Sequence, residues 1–134
     1  MGVVRVIVLD THVLYWAVDD SKHLSSTAAS AIRRARRGGG IAVSAITLWE
    51  LSWLFASGRI RSYGTIETSL RKMTEGVTIL PITPEIAALA AQFPADYPSD
   101  PSDRLIGATA RAEGMTLVTR DERIRRSALV KTVW

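Results

Sequence analysis

Four carboxylates occupy the positions in this chain where side-chain chemistry could be built: Asp10, Glu50, Asp103 and Asp121. Asp10 ends an apolar run at 3–9 in which only Arg5 is polar. Glu50 falls in the first turns of a helical stretch that follows the apolar residues 41–43, and Asp121 follows the short run TLVT. Taken singly, each has a plain reading. Asp10 could cap the helix after it, and both Thr47-Leu48-Trp49-Glu50 and Thr119-Arg120-Asp121-Glu122 match a capping box. An acidic residue in a helix's first turn gains about 0.3–1 kcal/mol from the backbone dipoles. Taken together they imply more. Carboxylates packed closely repel and take up protons unless a cation sits among them. A set of Asp and Glu without Cys or His is a hard oxygen site suited to Mg²⁺ or Mn²⁺. Such an ion binds phosphate oxygens, so the matching chemistry is phosphodiester hydrolysis. One metal lowers the pKa of the attacking water, and a second at about 3.5–4 Å could stabilise the leaving oxygen.

The elements that must position these groups alternate along the chain. The run at 3–9 is short, mostly β-branched and apolar at six of its seven positions, as in a strand covered on both faces. A short helix is expected at 11–18, then a second over STAASAIRRARR capped by Ser25 or Ser26 and ended by three glycines at 38–40. A strand at 41–43 leads into SAITLWELSWLFASG, a helix with Ile46, Trp49, Trp53 and Leu54 on an apolar side. A weaker helix at 66–74, a strand at 77–82 and a helix from Pro84 stopped by Pro94 follow. PADYPSDPSD reads as loop before a helix at about 103–113, and a strand over TLVT, a short helix over DERIRRSA and an edge strand in VKTVW complete the chain. This alternation is the pattern of an α/β domain with a mainly parallel sheet. In such sheets ligands bind outside the carboxyl ends of the strands, which is where Asp10, Glu50 and Asp121 fall. Asp103 follows a loop, and spacing alone does not bring it there.

With 134 residues, 47% hydrophobic and 22% charged, the chain fits one folded domain, 1–134, without repeats or linkers. No apolar run approaches the roughly 18 residues of a membrane span. A secretory pattern is lacking too, so a cytoplasmic location without a membrane partner is expected. The absence of Cys excludes disulfides and thiolate metal sites. The net charge is +4 and 14 of the 17 basic residues are Arg, which favours a nucleic acid or an acidic protein as partner.

LDTHVLYW, SAITLWEL, DPSDRLIGATARAEGMTLVTRDERI and the closing VKTVW together resemble a PIN domain of the VapC group of toxin ribonucleases, which belong to toxin–antitoxin pairs. The resemblance runs through nearly the whole chain with the motifs in family order, and the DPxDR…ATA…G…LVTRD block is its most specific part. It implies a PIN-like three-layer sandwich whose parallel sheet of four or five strands has the order 3-2-1-4-5. It also implies that Asp103 faces the other three carboxylates, so that Asp10, Glu50, Asp103 and Asp121 are at once catalytic and metal-holding, with Mg²⁺ or Mn²⁺ as cofactor. Asp100 is then a fifth or outer member, and Thr11 and Thr119 match polar positions that hydrogen-bond the carboxylates or a metal-bound water. Ser102 departs from the aromatic residue many similar sequences carry. An RNA substrate, with transfer RNA as a first guess, a VapB-type antitoxin and a homodimer are the partners implied.

Among the remaining residues, His12 beside Asp10 is read as structural and His23 as exposed. Trp16, Trp49 and Trp53 could stack bases but are expected in core or interface packing, and WELSWLF could border a groove that an antitoxin segment fills. Arg120, Arg123, Arg125 and Arg126 are candidates for RNA phosphates, because an acidic pocket needs a basic rim to admit a polyanion. Arg33, Arg34, Arg36 and Arg37 read as a solvated face. Three other functions fit the acidic residues: a phosphoacceptor domain, a non-catalytic docking module and a DNA-directed nuclease. The first needs a lysine at the site, and Lys22, Lys72 and Lys131 all lie away from strand ends.

Overall fold

An apolar run with no polar face must be covered on both sides, and in the computed structural model, which describes residues 5–134, it is. Strand β1 (Ile7–Leu9) is central in a five-stranded sheet of order β3-β2-β1-β4-β5, in which every pairing is parallel. The other strands are β2 (Ile41–Ser44), β3 (Val77–Leu80), β4 (Thr116–Val118) and β5 (Thr132–Val133). The expected first strand also took in residues 3 and 4, which lie outside the described residues.

Adjacent residues of β1 point to opposite faces. Leu9 enters a core cluster with Val13, Leu14, Ile32, Val43, Leu51, Phe55 and Met73, while Val8 enters another with Ile86, Phe93, Tyr97, Ile106, Leu117 and Ile124. Helices α1 (Thr11–Asp19), α2 (Ser26–Arg37), α3 (Ile46–Ala56) and α4 (Ile66–Met73) therefore cover one face. Helices α5 (Pro84–Gln92), α6 (Pro101–Glu113) and α7 (Glu122–Arg126) cover the other. This is the three-layer sandwich and strand order expected. Among the described residues no helix is long and apolar enough to cross a membrane.

Three local expectations are corrected. Helix α6 begins at Pro101, because Asp100 caps it through the Asp103 amide (3.1 Å) and proline suits the first helical position. Helix α3 buries Thr47, Leu51, Leu54 and Phe55, so the expected apolar side is split: Trp49 and Trp53 face outward at 64% and 57% exposure, which excludes the core and leaves the interface of the two places expected for them. Neither capping box forms. Ala45 precedes α3 without a side-chain cap, and α7 is capped by Asp121 itself.

Helix α6 is held firmly against its layer. A Cβ at Gly107 would collide with the Tyr97 hydroxyl, so only glycine lets that buried ring lie against the helix. The hydroxyl donates to the Asp103 carbonyl (3.3 Å). Arg104, next to Asp103, donates to the carbonyls of Ala90, Phe93 and Pro94 at 3.1, 2.8 and 3.1 Å. Its guanidinium thus satisfies the carbonyls at the end of α5 and ties the two helices together.

Candidate functional site

Parallel strands feeding helices bring three acidic residues to one edge of the sheet. Asp10 leaves β1 and caps α1, accepting from the Thr11 amide (2.9 Å). Glu50 projects from α3 after β2. Asp121 follows β4 and caps α7, accepting from the amides of Arg123 (2.8 Å) and Ile124 (3.1 Å). The fourth, Asp103, comes from the first turn of α6. All four line one cavity of about 420 Å³, together with Asp100, Thr11, His12, Val13, Trp16 and Arg120.

Threonine hydroxyls fix two of the carboxylates. Buried Thr119 donates to Asp10 (2.8 Å) and accepts from the Asp121 amide (3.1 Å), so one side chain registers two acidic residues. Buried Thr11 donates to Glu50, and its oxygen lies 3.0 Å from the Thr47 hydroxyl. Thr11 has a single hydroxyl proton, so Thr47 donates to Thr11 and the relay runs Thr47 to Thr11 to Glu50. Thr47 carries no signal in the sequence beyond a capping pattern, and its buried hydroxyl 3.0 Å from that of Thr11 is what makes it part of the relay. Replacing Thr11 by Val removes the donor at nearly constant shape. A loss of activity is expected, about 10- to 100-fold if Glu50 serves as a metal ligand, together with a lower urea midpoint, since the buried Thr47 hydroxyl loses its partner at a cost of about 1–3 kcal/mol. Activity assays on the folded variant check it.

Electrostatics sets these groups apart from ordinary surface acids. Burial pushes the Asp103 carboxyl up to about 7, helped by the charges of Asp10, Asp100, Asp121 and Glu50. Burial likewise raises Asp10, against the hydrogen bonds from Thr119 and Thr11 and the nearby His12. It raises Glu50 too, where the hydroxyls of Thr11 and Ser102 oppose the shift. Among the described residues no Lys or Arg forms an ion pair with any of the four; the ion pairs present are His23–Asp20 and Arg71–Glu67. No three Asp, Glu or His side chains among the described residues are close enough to make a ready-made metal cage. The four thus line the cavity without closing it. The donors are all hard oxygens, and a divalent cation is the charge that offsets their mutual repulsion. In donor chemistry the residues fit Mg²⁺ or Mn²⁺.

The remaining candidates separate in space. Arg120 lines the acidic cavity, its guanidinium 5.9 Å from the Trp16 ring centre. Arg123 lies by Asp96 in another depression, and Arg125 faces a different cavity near the end of the chain. Arg126 borders both. His12 is exposed at the rim, and His23 stacks on Trp16 (5.5 Å, 15°) and pairs with Asp20 (3.0 Å).

Residues 7–129 match the PIN domain family. The chain belongs to that family. It is 41% identical to Ribonuclease VapC22 of Mycobacterium tuberculosis over 130 residues, 96% of this chain and 98% of the relative. The same PIN fold recurs in VapBC2 of Rickettsia felis bound to a promoter DNA fragment (TM-score 0.72, 19% identity, 96% of this chain and 97% of that one). It recurs also in a toxin–antitoxin complex of Klebsiella pneumoniae (TM-score 0.65, 20% identity, 96% of each chain). Within this PIN domain, the acidic cavity sits at the carboxyl end of the central strand, flanked by the two helices that follow β1 and β2.

Proposed function

We propose that this PIN domain, spanning 1–134, is a metal-dependent endoribonuclease and the toxin of a toxin–antitoxin pair. The observation that carries the reading is the convergence of Asp10, Glu50, Asp103 and Asp121 on one cavity with no basic side chain among the described residues paired to them. The 41% identity to a protein named as a ribonuclease supports it. Asp10, Asp103 and Asp121 would hold Mg²⁺ or Mn²⁺, with Glu50 as the further ligand or the group that orients water. A bound ion would supply Lewis acidity to the phosphate and to the attacking water.

The chain's own residues do the rest. Thr119 aims Asp10, the Thr47–Thr11 relay keeps Glu50 as an acceptor, and Asp100 adds negative charge at the edge of the cavity. Arg120 offers the approaching phosphate a cation beside that charge. Trp49 and Trp53, one turn apart and exposed on the helix that carries Glu50, are the surface we assign to a protein partner. A VapB-type antitoxin is the candidate, since the structural relatives include toxin–antitoxin complexes, and self-association is the second use of such a face.

The test is direct. The purified protein should cut RNA, with transfer RNA tried first, in Mg²⁺ or Mn²⁺ and stop in EDTA. RNA left intact under all these conditions would refute the nuclease reading, as would cleavage indifferent to EDTA.

A further inference from the structure

A second cavity, about 620 Å³ against about 420 Å³ for the acidic one, opens between α2, α7 and β5. Arg125, Arg126 and Trp134 line it, with Glu122, Thr27 and Thr132. Its arginines are uncommitted. Arg104 and Arg111 are spent on backbone carbonyls and Arg71 on Glu67, but among the described residues neither Arg125 nor Arg126 is in an ion pair. An aromatic bridge joins the two cavities. Trp16 lines the acidic one, and its ring meets that of Trp134 at 5.9 Å and 55°. Trp16 already carries His23 stacked on it and the Arg120 guanidinium nearby, which leaves half-buried Trp134 as the aromatic side chain that lines the larger cavity.

Two free guanidinium forks and an aromatic plane are the groups a nucleotide requires, one for phosphate and the other for the base. We propose that this cavity is a nucleotide subsite, holding the RNA nucleotide that flanks the bond cut in the acidic cavity. Its base lies on Trp134 and its phosphate at Arg125 and Arg126. Glu122, Thr27 and Thr132 supply acceptors for ribose hydroxyls, the groups that distinguish RNA from DNA. The inference rests on the ribonuclease reading of the neighbouring site, but its test does not require turnover.

The experiment measures binding of a short fluorescein-labelled single-stranded RNA to the Asp10→Asn protein by anisotropy, over a range of salt. Replacing Arg125 and Arg126 together by Ala, two exposed changes, is expected to weaken binding and lower the slope of log affinity against log salt by about 0.7, the value for one phosphate. Trp134→Ala is expected to weaken it about 5- to 150-fold, and Trp134→Phe, which keeps a ring against Trp16, to recover part of that. Unchanged affinity and salt slope in the arginine double variant would overturn the subsite and leave the cavity to an acidic protein segment. The two readings fail separately. RNA left uncut by the wild-type chain while these variants still lose affinity sinks the nuclease and keeps the subsite; normal cleavage with unaltered anisotropy does the reverse.

Discussion

Asp10→Asn is expected to abolish RNA cleavage, by about 1000-fold or more, while leaving the fold intact. The side chain does two structural jobs through separate oxygens, capping α1 through the Thr11 amide with one and accepting from Thr119 with the other; Asn keeps the cap with its oxygen and reverses the second bond, its NH2 donating to the Thr119 hydroxyl oxygen. What Asn lacks is charge. The cation chemistry proposed for this cavity is worth several kcal/mol of transition-state stabilisation, and each 1.36 kcal/mol is about tenfold in rate. The fold should not suffer, because burial already disfavours the Asp10 anion and the neutral amide has no such penalty. Single-turnover cleavage at saturating Mg²⁺ measures the first claim, and circular dichroism with a urea titration measures the second. A folded variant that cuts RNA at the wild-type rate would remove Asp10 from the mechanism.

The same residues show why the sheet was legible in the sequence and the site only partly so. An unbroken apolar run such as that ending at Leu9 can be buried on both faces in very few ways, and the strand–helix alternation restricts the topology further. Asp10 and Asp121 sit at strand–helix junctions, where local pattern suffices to locate them. Asp103 does not. It arrives through a proline-rich loop and depends on Tyr97 packing into the gap at Gly107 and on Arg104 gripping the end of α5. Those contacts are nonlocal and leave no periodic trace, so its place among the other three rested on family resemblance. Whether Trp49 and Trp53 belong to core or interface was illegible for the complementary reason. Hydrophobicity predicts burial only on average, and α3, apolar nearly all round, carries no pattern to tell its inner face from its outer one. The threonine relay was hidden similarly, since Thr47 three residues before Glu50 satisfies a capping pattern whether or not the cap forms.

Asp103→Asn is expected to do two opposite things: to remove activity and to stabilise the metal-free protein above neutral pH. Its carboxyl is pushed up to about 7 by burial and by four neighbouring acids, from about 3.9 in an unfolded chain. A raised carboxyl pKa means that the folded state favours the protonated form. Its contribution to stability is therefore complete below the unfolded value and is lost as pH rises through about 7. The chelated wild-type protein should accordingly be more stable at pH 5 than at pH 8, by on the order of 1 kcal/mol once solvent screening of this partly exposed carboxyl is allowed for. Asp103→Asn should flatten that profile without levelling it, because Asp10 and Glu50 are raised in the same direction. Adding Mn²⁺ at pH 8 should restore the wild type, since a cation that binds the ionised folded form stabilises it by mass action. The variant should gain much less. Urea midpoints at the two pH values, with EDTA and with Mn²⁺, check all of this. A wild-type midpoint that ignores both pH and metal would mean that the carboxylates do not share a field, and the cavity would lose its claim to a cation. If instead the midpoints move as expected, Asp103 costs the empty fold stability that only a bound cation returns. Such a residue is kept for its chemistry, because packing alone would favour the amide.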